Sequence, residues 1–214
     1  MCIRDRLGYA PAQVVIGYFY DTGSIVVAEP GQAVAWYKKA AAQDDRLGEW
    51  LLGRVYYLGT GFPRDLDQAA KACEKAASQG DPFGQHILGM IKLERNEYAK
   101  AADWFRKSAL QGLPQAQQQL GLLLKQGRGV TTDKFEAYVW LLVSFDAGNQ
   151  SVANDLLELE GQLGSTQLEQ AKTKARELEQ TVNRSVMAHG CTGWSGEFSL
   201  VPTPPPPDVQ RFCR

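Results

Sequence analysis

The side chains that most often carry out catalysis or bind metals are scarce in this chain of 214 residues. It holds two histidines, His86 and His189, and four cysteines, and neither type has the spacing of a zinc or redox motif. Gly193-Trp194-Ser195-Gly196 resembles the start of a serine-hydrolase nucleophile elbow, but Glu197 stands where that motif requires glycine. We therefore predict no catalytic residue, no metal site and no cofactor.

The composition is that of a soluble globular chain, with 44% hydrophobic and 22% charged residues and a formal net charge of −1. This balance does not favour a nucleic-acid partner. The longest apolar stretch, residues 137–143, is far shorter than the roughly 20 residues of a membrane-spanning helix. We predict a protein or peptide partner, no transmembrane segment and no small-molecule substrate.

The first six residues, MCIRDR, correspond to the translation of an adapter used in transposon-based sequencing libraries. We interpret residues 1–6 as an artefact joined to a reading frame whose true start is lost. Any export signal of that reading frame would be lost with its start. We favour a periplasmic or extracytoplasmic location, with the cytoplasm as the alternative.

A glycine-centred motif occurs four times along the chain, at Gly17, Gly53, Gly89 and Gly121. The copies start 36, 36 and 32 residues apart, which is the interval of helix-turn-helix solenoid repeats. In the first helix of each repeat, the positions five and one before the glycine and three after it share one packing stripe. The glycine costs about 1 kcal/mol of helix propensity relative to alanine, so its recurrence indicates close approach of a neighbouring helix.

The second helices carry bulky and small residues in one aligned column, which we predict to be core without a binding role. The column holds Trp36-Tyr37, Ala72-Cys73, Trp104-Phe105 and Trp140-Leu141. Asp65 with Gln68, and Asp133 with Glu136, have the spacing of capping boxes at the start of second helices. The third repeat is four residues shorter, so residues 94–97 are expected to form a tighter turn.

These copies resemble the Sel-one-like repeat family, a subclass of the tetratricopeptide-type α-solenoids. The pattern LG-x-x-Y-x-x-G-x-G-V, followed by A-x-x-W-[YF]-x-K-A-A, carries the resemblance over about residues 10–148. It implies an all-α fold, a right-handed α-solenoid of stacked antiparallel helix pairs. It also implies an adaptor or scaffold for protein partners, frequently in bacterial cell envelopes and signalling. Some cysteine-rich relatives have been labelled β-lactamases, so a cell-envelope hydrolase is the alternative, although this chain lacks their paired cysteines.

We divide the chain after residues 1–6 into three parts. Four repeats fill residues 10–148, at about 10–44, 47–80, 83–112 and 115–148. Residues 149–188 are predicted to form a C-terminal capping helix pair with a solvated polar face. Residues 189–214 form an irregular Pro-rich tail, polyproline II at residues 204–207, that could serve as a linker or as a ligand for another domain.

Two cysteines, Cys191 and Cys213, bracket this tail. A disulfide between them would tie the tail down and contribute roughly 3 kcal/mol in the chain-entropy model, and it requires an oxidising compartment. The alternative is a disordered end with two incidental cysteines.

A partner-binding face is predicted on the side of each first helix opposite the packing stripe. It comprises the positions six and three before the glycine and one and four after it, and in related solenoids this face lines the concave groove. We predict a noncatalytic adaptor that binds a peptide or protein there, through Tyr18, Trp50, Arg54, Tyr57, His86, Met90 and Gln118. These include residue types favoured at binding hot spots and adaptable surfaces. The alternative is that some of them only pack against the adjacent repeat.

Overall fold

A computed structural model describes residues 8–189 of the chain, and the side chains up to residue 182. This part is all helical, which confirms the predicted fold class. The helices are α1 (Ala10–Thr22), α2 (Pro30–Ala41), α3 (Arg46–Leu58), α4 (Leu66–Ser78), α5 (Pro82–Glu94), α6 (Tyr98–Leu110), α7 (Pro114–Gln126), α8 (Lys134–Asp146), α9 (Ala153–Glu160) and α10 (Ser165–His189), with a 3₁₀ turn at Gln150–Val152. The predictions for residues 1–6, for the Pro-rich tail and for the Cys191–Cys213 disulfide lie outside the described residues.

Each motif glycine lies against the second helix of its own repeat. A Cβ atom on the glycine would come within 3.0 Å of a side chain there, closer than real Cβ contacts. The pairs are Gly17 with Tyr37, Gly53 with Cys73, Gly89 with Phe105, and Gly121 with Leu141. All four partners are fully buried. The predicted close approach is therefore confirmed, and so is the core role of the second residue in each pair of the column.

The turns follow the predicted capping chemistry. The side chain of Asp65 accepts a hydrogen bond from the Gln68 amide at 2.9 Å, and that of Asp133 accepts one from the Glu136 amide at 2.9 Å. In the short third repeat, Asn96 adopts the left-handed conformation, with φ at 59°, in place of the glycine loop. Asparagine tolerates this region better than most residues, which explains the tight turn.

The described residues form two compact units, which divide after Ser108. In the first unit, α1 packs on α2 and α3, and α3 packs on α4 and α5. The predicted packing stripe joins successive repeats there, because Gly48 lies against Ala40 of α2 and Gly84 lies against Ala76 of α4. Small residues at these contacts let the backbones of adjacent helices approach closely.

In the second unit, α7 packs on α8, and α9 and α10 also pack on α8. The inner side of α10 buries Ala171, Ala175 and Val182, while most of its charged residues are exposed. Among the described helices, none combines the length and the apolar character that a bilayer crossing requires.

Candidate binding face

The first helices α1, α3 and α5 are neighbours in the first unit, because α3 contacts both of the others. We call the surface formed by their predicted binding positions the first-helix face. Its members in this unit are Tyr18 and Asp21 on α1, Leu47, Trp50, Arg54 and Tyr57 on α3, and Phe83, His86, Met90 and Leu93 on α5. Two contacts between adjacent helices brace this face.

The first brace is an ion pair between Asp21 on α1 and Arg54 on α3. The Asp21 side chain is only 8% exposed, and it also accepts a hydrogen bond from the Tyr37 hydroxyl at 3.3 Å. Burial, followed by the negative charge of Asp21, raises the pKa of Tyr37, so this hydroxyl stays protonated and keeps donating. The pair therefore neutralises its own charge and ties the first repeat to the second.

The second brace is aromatic and joins α3 to α5. The rings of Trp50 and Phe83 lie with their centroids 4.8 Å apart at an angle of 40°. The Arg54 guanidinium carbon is 5.9 Å from the centre of the Trp50 ring, within reach of a cation–π interaction. Trp50 is 7% exposed, so most of its ring is packed beneath the surface of the face.

Tyr57 belongs to a hydrogen-bonded network at the C-terminal end of α3. Its hydroxyl donates to Glu94 at 2.6 Å, and Arg64 donates to the same carboxylate oxygen at 2.5 Å and to the Tyr57 carbonyl at 2.7 Å. Burial and the bond to Glu94 raise the pKa of Tyr57 to about 12. The bond from Arg64 lowers the pKa of Glu94. The two charged groups of this network, Arg64 and Glu94, thus form an ion pair with each other.

The remaining predicted residues of the first unit are partly exposed. Tyr18 lies on α1, and His86 and Met90 lie on α5. The imidazole of His86 faces the Phe105 ring, with the centroids 5.7 Å apart. Burial lowers the pKa of His86 to about 4, so the side chain is neutral at pH 7.

Gln118 lies on α7, in the second unit. It is partly buried, and its side-chain oxygen accepts a hydrogen bond from the Asn149 amide at 2.9 Å. Gln118 is therefore not a member of the face of the first unit.

A column of buried polar residues was missed by the sequence reasoning. It stands four residues before each motif glycine and holds Gln13, Glu49, Gln85 and Gln117. Glutamine and glutamate on a helix are normally exposed to solvent, so these residue types alone did not predict burial. Their recurrence at the same phase in four repeats was the signal that could have revealed it.

The chemistry available to the described residues is limited. Among them, no group of three or more His, Cys, Asp and Glu side chains is placed to hold a metal ion. Cys73 is buried, and burial raises the pKa of its thiol, which keeps the thiol protonated and poorly nucleophilic. Aromatic, methionine and amide groups on a braced helical surface suit recognition.

Comparison with known proteins identifies the repeats. A family model described as Sel1 repeat matches residues 10–45, 47–81, 85–113 and 114–149. The chain belongs to the Sel1 repeat family. Sel1 repeats mediate protein–protein interactions, and their proteins are typically noncatalytic scaffolds or adaptors.

Solved Sel1 structures share the fold of this chain. A Sel1 repeat protein from Oxalobacter formigenes is 30% identical, with a TM-score of 0.64 over 73% of this chain and 66% of that one. A protective antigen of uropathogenic Escherichia coli strains that displays an SLR fold is 26% identical, with a TM-score of 0.64 over 94% of this chain and 50% of that one.

A curated relative is much longer. The chain is 31% identical over 177 residues to chitin synthase regulatory factor 3 of Schizosaccharomyces pombe. This alignment covers 82% of the chain and spans 16% of that protein's length.

Proposed function

We propose that this Sel1 repeat chain is a noncatalytic adaptor that holds a peptide or protein segment against the first-helix face. The observation that supports this proposal is the bracing of that face. Asp21–Arg54 and Trp50–Phe83 hold three first helices side by side, and partly exposed Tyr18, Tyr57, His86 and Met90 lie along them. A surface held in place before binding loses less conformational entropy when a partner docks.

The charge pattern of the face indicates the chemistry of the partner. Asp21 is neutralised by Arg54, Glu94 is neutralised by Arg64, and His86 is uncharged at pH 7. The other members of the face are aromatic, leucine and methionine side chains and the neutral His86. We therefore expect the bound segment to be chosen by apolar and aromatic side chains, with affinity that changes little between low and physiological salt.

A display library of random peptides, selected against the full chain, supplies ligands for the test. Affinities of the selected peptides are then measured calorimetrically for Tyr18→Ala and Met90→Ala. The matched control is Val27→Ala, which removes apolar area from a side chain that is 81% exposed outside the face.

We expect at least one face variant to weaken binding about tenfold or more, as removal of a hot-spot residue does, with unchanged helicity by circular dichroism. The control should bind like the parent. Equal affinity of the parent and both face variants, or a loss confined to Val27→Ala, would reject the first-helix face as the binding surface.

A further inference from the structure

A buried polar residue stands four positions before the motif glycine in each repeat, and we call these the ladder residues: Gln13, Glu49, Gln85 and Gln117. Buried amides and carboxylates are costly unless they find hydrogen-bond partners. The partners of the ladder residues follow a repeating scheme.

One end of a ladder residue reaches the preceding repeat. The side-chain amide of Gln85 donates to the Ala77 carbonyl at 3.5 Å, and that of Gln117 donates to the Ala109 carbonyl at 3.2 Å. Each acceptor lies eight residues earlier, near the end of the preceding second helix. This bond links two successive repeats.

The other end is bound within the same repeat. The Gln43 amide donates to the Gln13 oxygen at 3.0 Å, and the Gln79 amide donates to Glu49 Oε2 at 2.9 Å. Both donors stand 26 residues after their motif glycine. Gln13 and Glu49 thus accept within their own repeat, and Gln85 and Gln117 donate to the repeat before theirs.

Glu49 cannot complete this scheme as a carboxylate. It is 1% exposed, and its second oxygen, Oε1, is buried without a hydrogen-bond partner among the described residues. The carbonyl that corresponds to the acceptors of Gln85 and Gln117 is that of Ala41, eight residues before Glu49. The Ala41 carbonyl accepts a hydrogen bond from the Asp44 amide at 3.1 Å, as the Ala77 and Ala109 carbonyls do from Gly80 and Gly112. An ionised carboxylate has no hydrogen with which to add the second bond that Gln85 and Gln117 donate at the later junctions.

Several charged groups act on Glu49. Lys75 on α4 lies 3.5 Å from Oε1 and equally far from Asp44. Asp44 and Asp45, in the turn before α3, oppose the ionisation of Glu49, and Arg46 is paired with Asp81 at 3.7 Å. Burial and these two aspartates outweigh Lys75, and they raise the pKa of Glu49.

We propose that Glu49 is a proton-operated latch between the first and second repeats. When the carboxyl group takes a proton from water, its O–H donates to the Ala41 carbonyl, as the ladder amides do at the later junctions. When that proton returns to water, the bond is lost and the carboxylate keeps only Gln79 and Lys75. The latch closes in acid and opens as the pH rises.

The direction of the pH dependence follows from the linkage between proton binding and folding. Because the pKa of Glu49 is raised in the fold, the folded junction holds the proton more tightly than the unfolded one does. The contribution to stability is therefore complete below the unfolded pKa and is lost as the pH rises through the folded pKa. Each unit of pKa increase changes the opening equilibrium of the first repeat about tenfold.

Amide hydrogen exchange of the full chain between pH 4.5 and 7.5, corrected for intrinsic rates, tests the latch through the protection of α1 and α2. Glu49→Gln supplies a permanent amide donor of the same shape. We expect protection in the parent to fall relative to Glu49→Gln as the pH rises. A ratio between the two proteins that stays constant across this range would overturn the proposal. Other titrating groups act on both proteins and cancel.

The reverse change supplies the matched control. Gln85→Glu places the same carboxyl group at the next junction, so exchange in α5 should gain a sensitivity to pH beyond that which Asp81 and His86 give the parent. If Gln85→Glu introduces no such sensitivity, the ladder position does not create the latch and the proposal fails. This test needs no binding partner, so its outcome is separate from that of the adaptor proposal.

Discussion

The thiol of Cys73 occupies the space into which a side chain at Gly53 would project. The same relationship joins the motif glycine to the second helix in every repeat, and it explains why a residue that weakens helices recurs at the centre of a helix. The glycine is retained for the space that it leaves open.

Gly53→Ala should therefore destabilise the protein. Alanine gains about 1 kcal/mol of helix propensity, but overpacking against Cys73 costs about 1–3 kcal/mol. We expect a net loss of about 1 kcal/mol in urea denaturation. Adding Cys73→Ala removes the sulfur, so it should restore part of this loss. A double variant as unstable as the sum of the two single variants would contradict the account.

Much of the repeat architecture could be predicted from the sequence because its causes are local. The carboxylates of Asp65 and Asp133 cap their own helices, and the motif glycines recur at a fixed phase. The depth of Trp50 and the pairing of Asp21 depend instead on how neighbouring first helices are set against each other. Helical periodicity within one repeat does not contain that information.

The Asp21–Arg54 pair should contribute to stability as well as to the shape of the face. Asp21→Ala leaves the Arg54 charge and the Tyr37 hydroxyl without their acceptor, and we expect a loss of about 1–3 kcal/mol in chemical denaturation. The control Arg54→Met keeps the apolar stem. A double-mutant cycle that shows no interaction energy between the two positions would contradict the role assigned to this pair.

The last repeat offers a stabilising change. Gln117 Oε1 is buried without a hydrogen-bond partner among the described residues, and Ala147 stands where Gln43 and Gln79 supply an amide donor in the first two repeats. We expect Ala147→Gln to stabilise the protein by about 1 kcal/mol in thermal and urea denaturation. The converse control, Gln79→Ala, should destabilise the second repeat. No gain from Ala147→Gln would argue that its amide does not reach Gln117.

The stability of the first unit should depend on His86 in mild acid. Burial lowers the pKa of His86 to about 4, so the unfolded chain takes up a proton on this histidine near pH 6.5 before the fold does. The stability that His86 contributes is present above pH 6.5 and is lost as the pH falls towards 4. His86→Gln should lose less stability than the parent between pH 7.5 and 5, measured by urea midpoints.

Asp81 changes the stability of the first unit in the opposite direction over the same pH range. Burial raises the pKa of this α5 cap to about 6, against the lowering effect of its bond from Gly84 and of Arg46. Its contribution is therefore present at acid pH and is lost as the pH rises through 6. Asp81→Asn, which still caps α5, should lose stability more steeply on acidification than the parent. Identical pH profiles for the parent, His86→Gln and Asp81→Asn would contradict both assignments.

The central claim is that a partner docks on the first-helix face. Nuclear magnetic resonance of the full chain, titrated with a peptide selected against it, tests this claim most directly. We predict that the largest shift changes fall on Tyr18, Tyr57, His86 and Met90, with the Met90 methyl signal among them. Changes concentrated on the exposed sides of α2 and α4, or in the loop at residues 23–29, would contradict it.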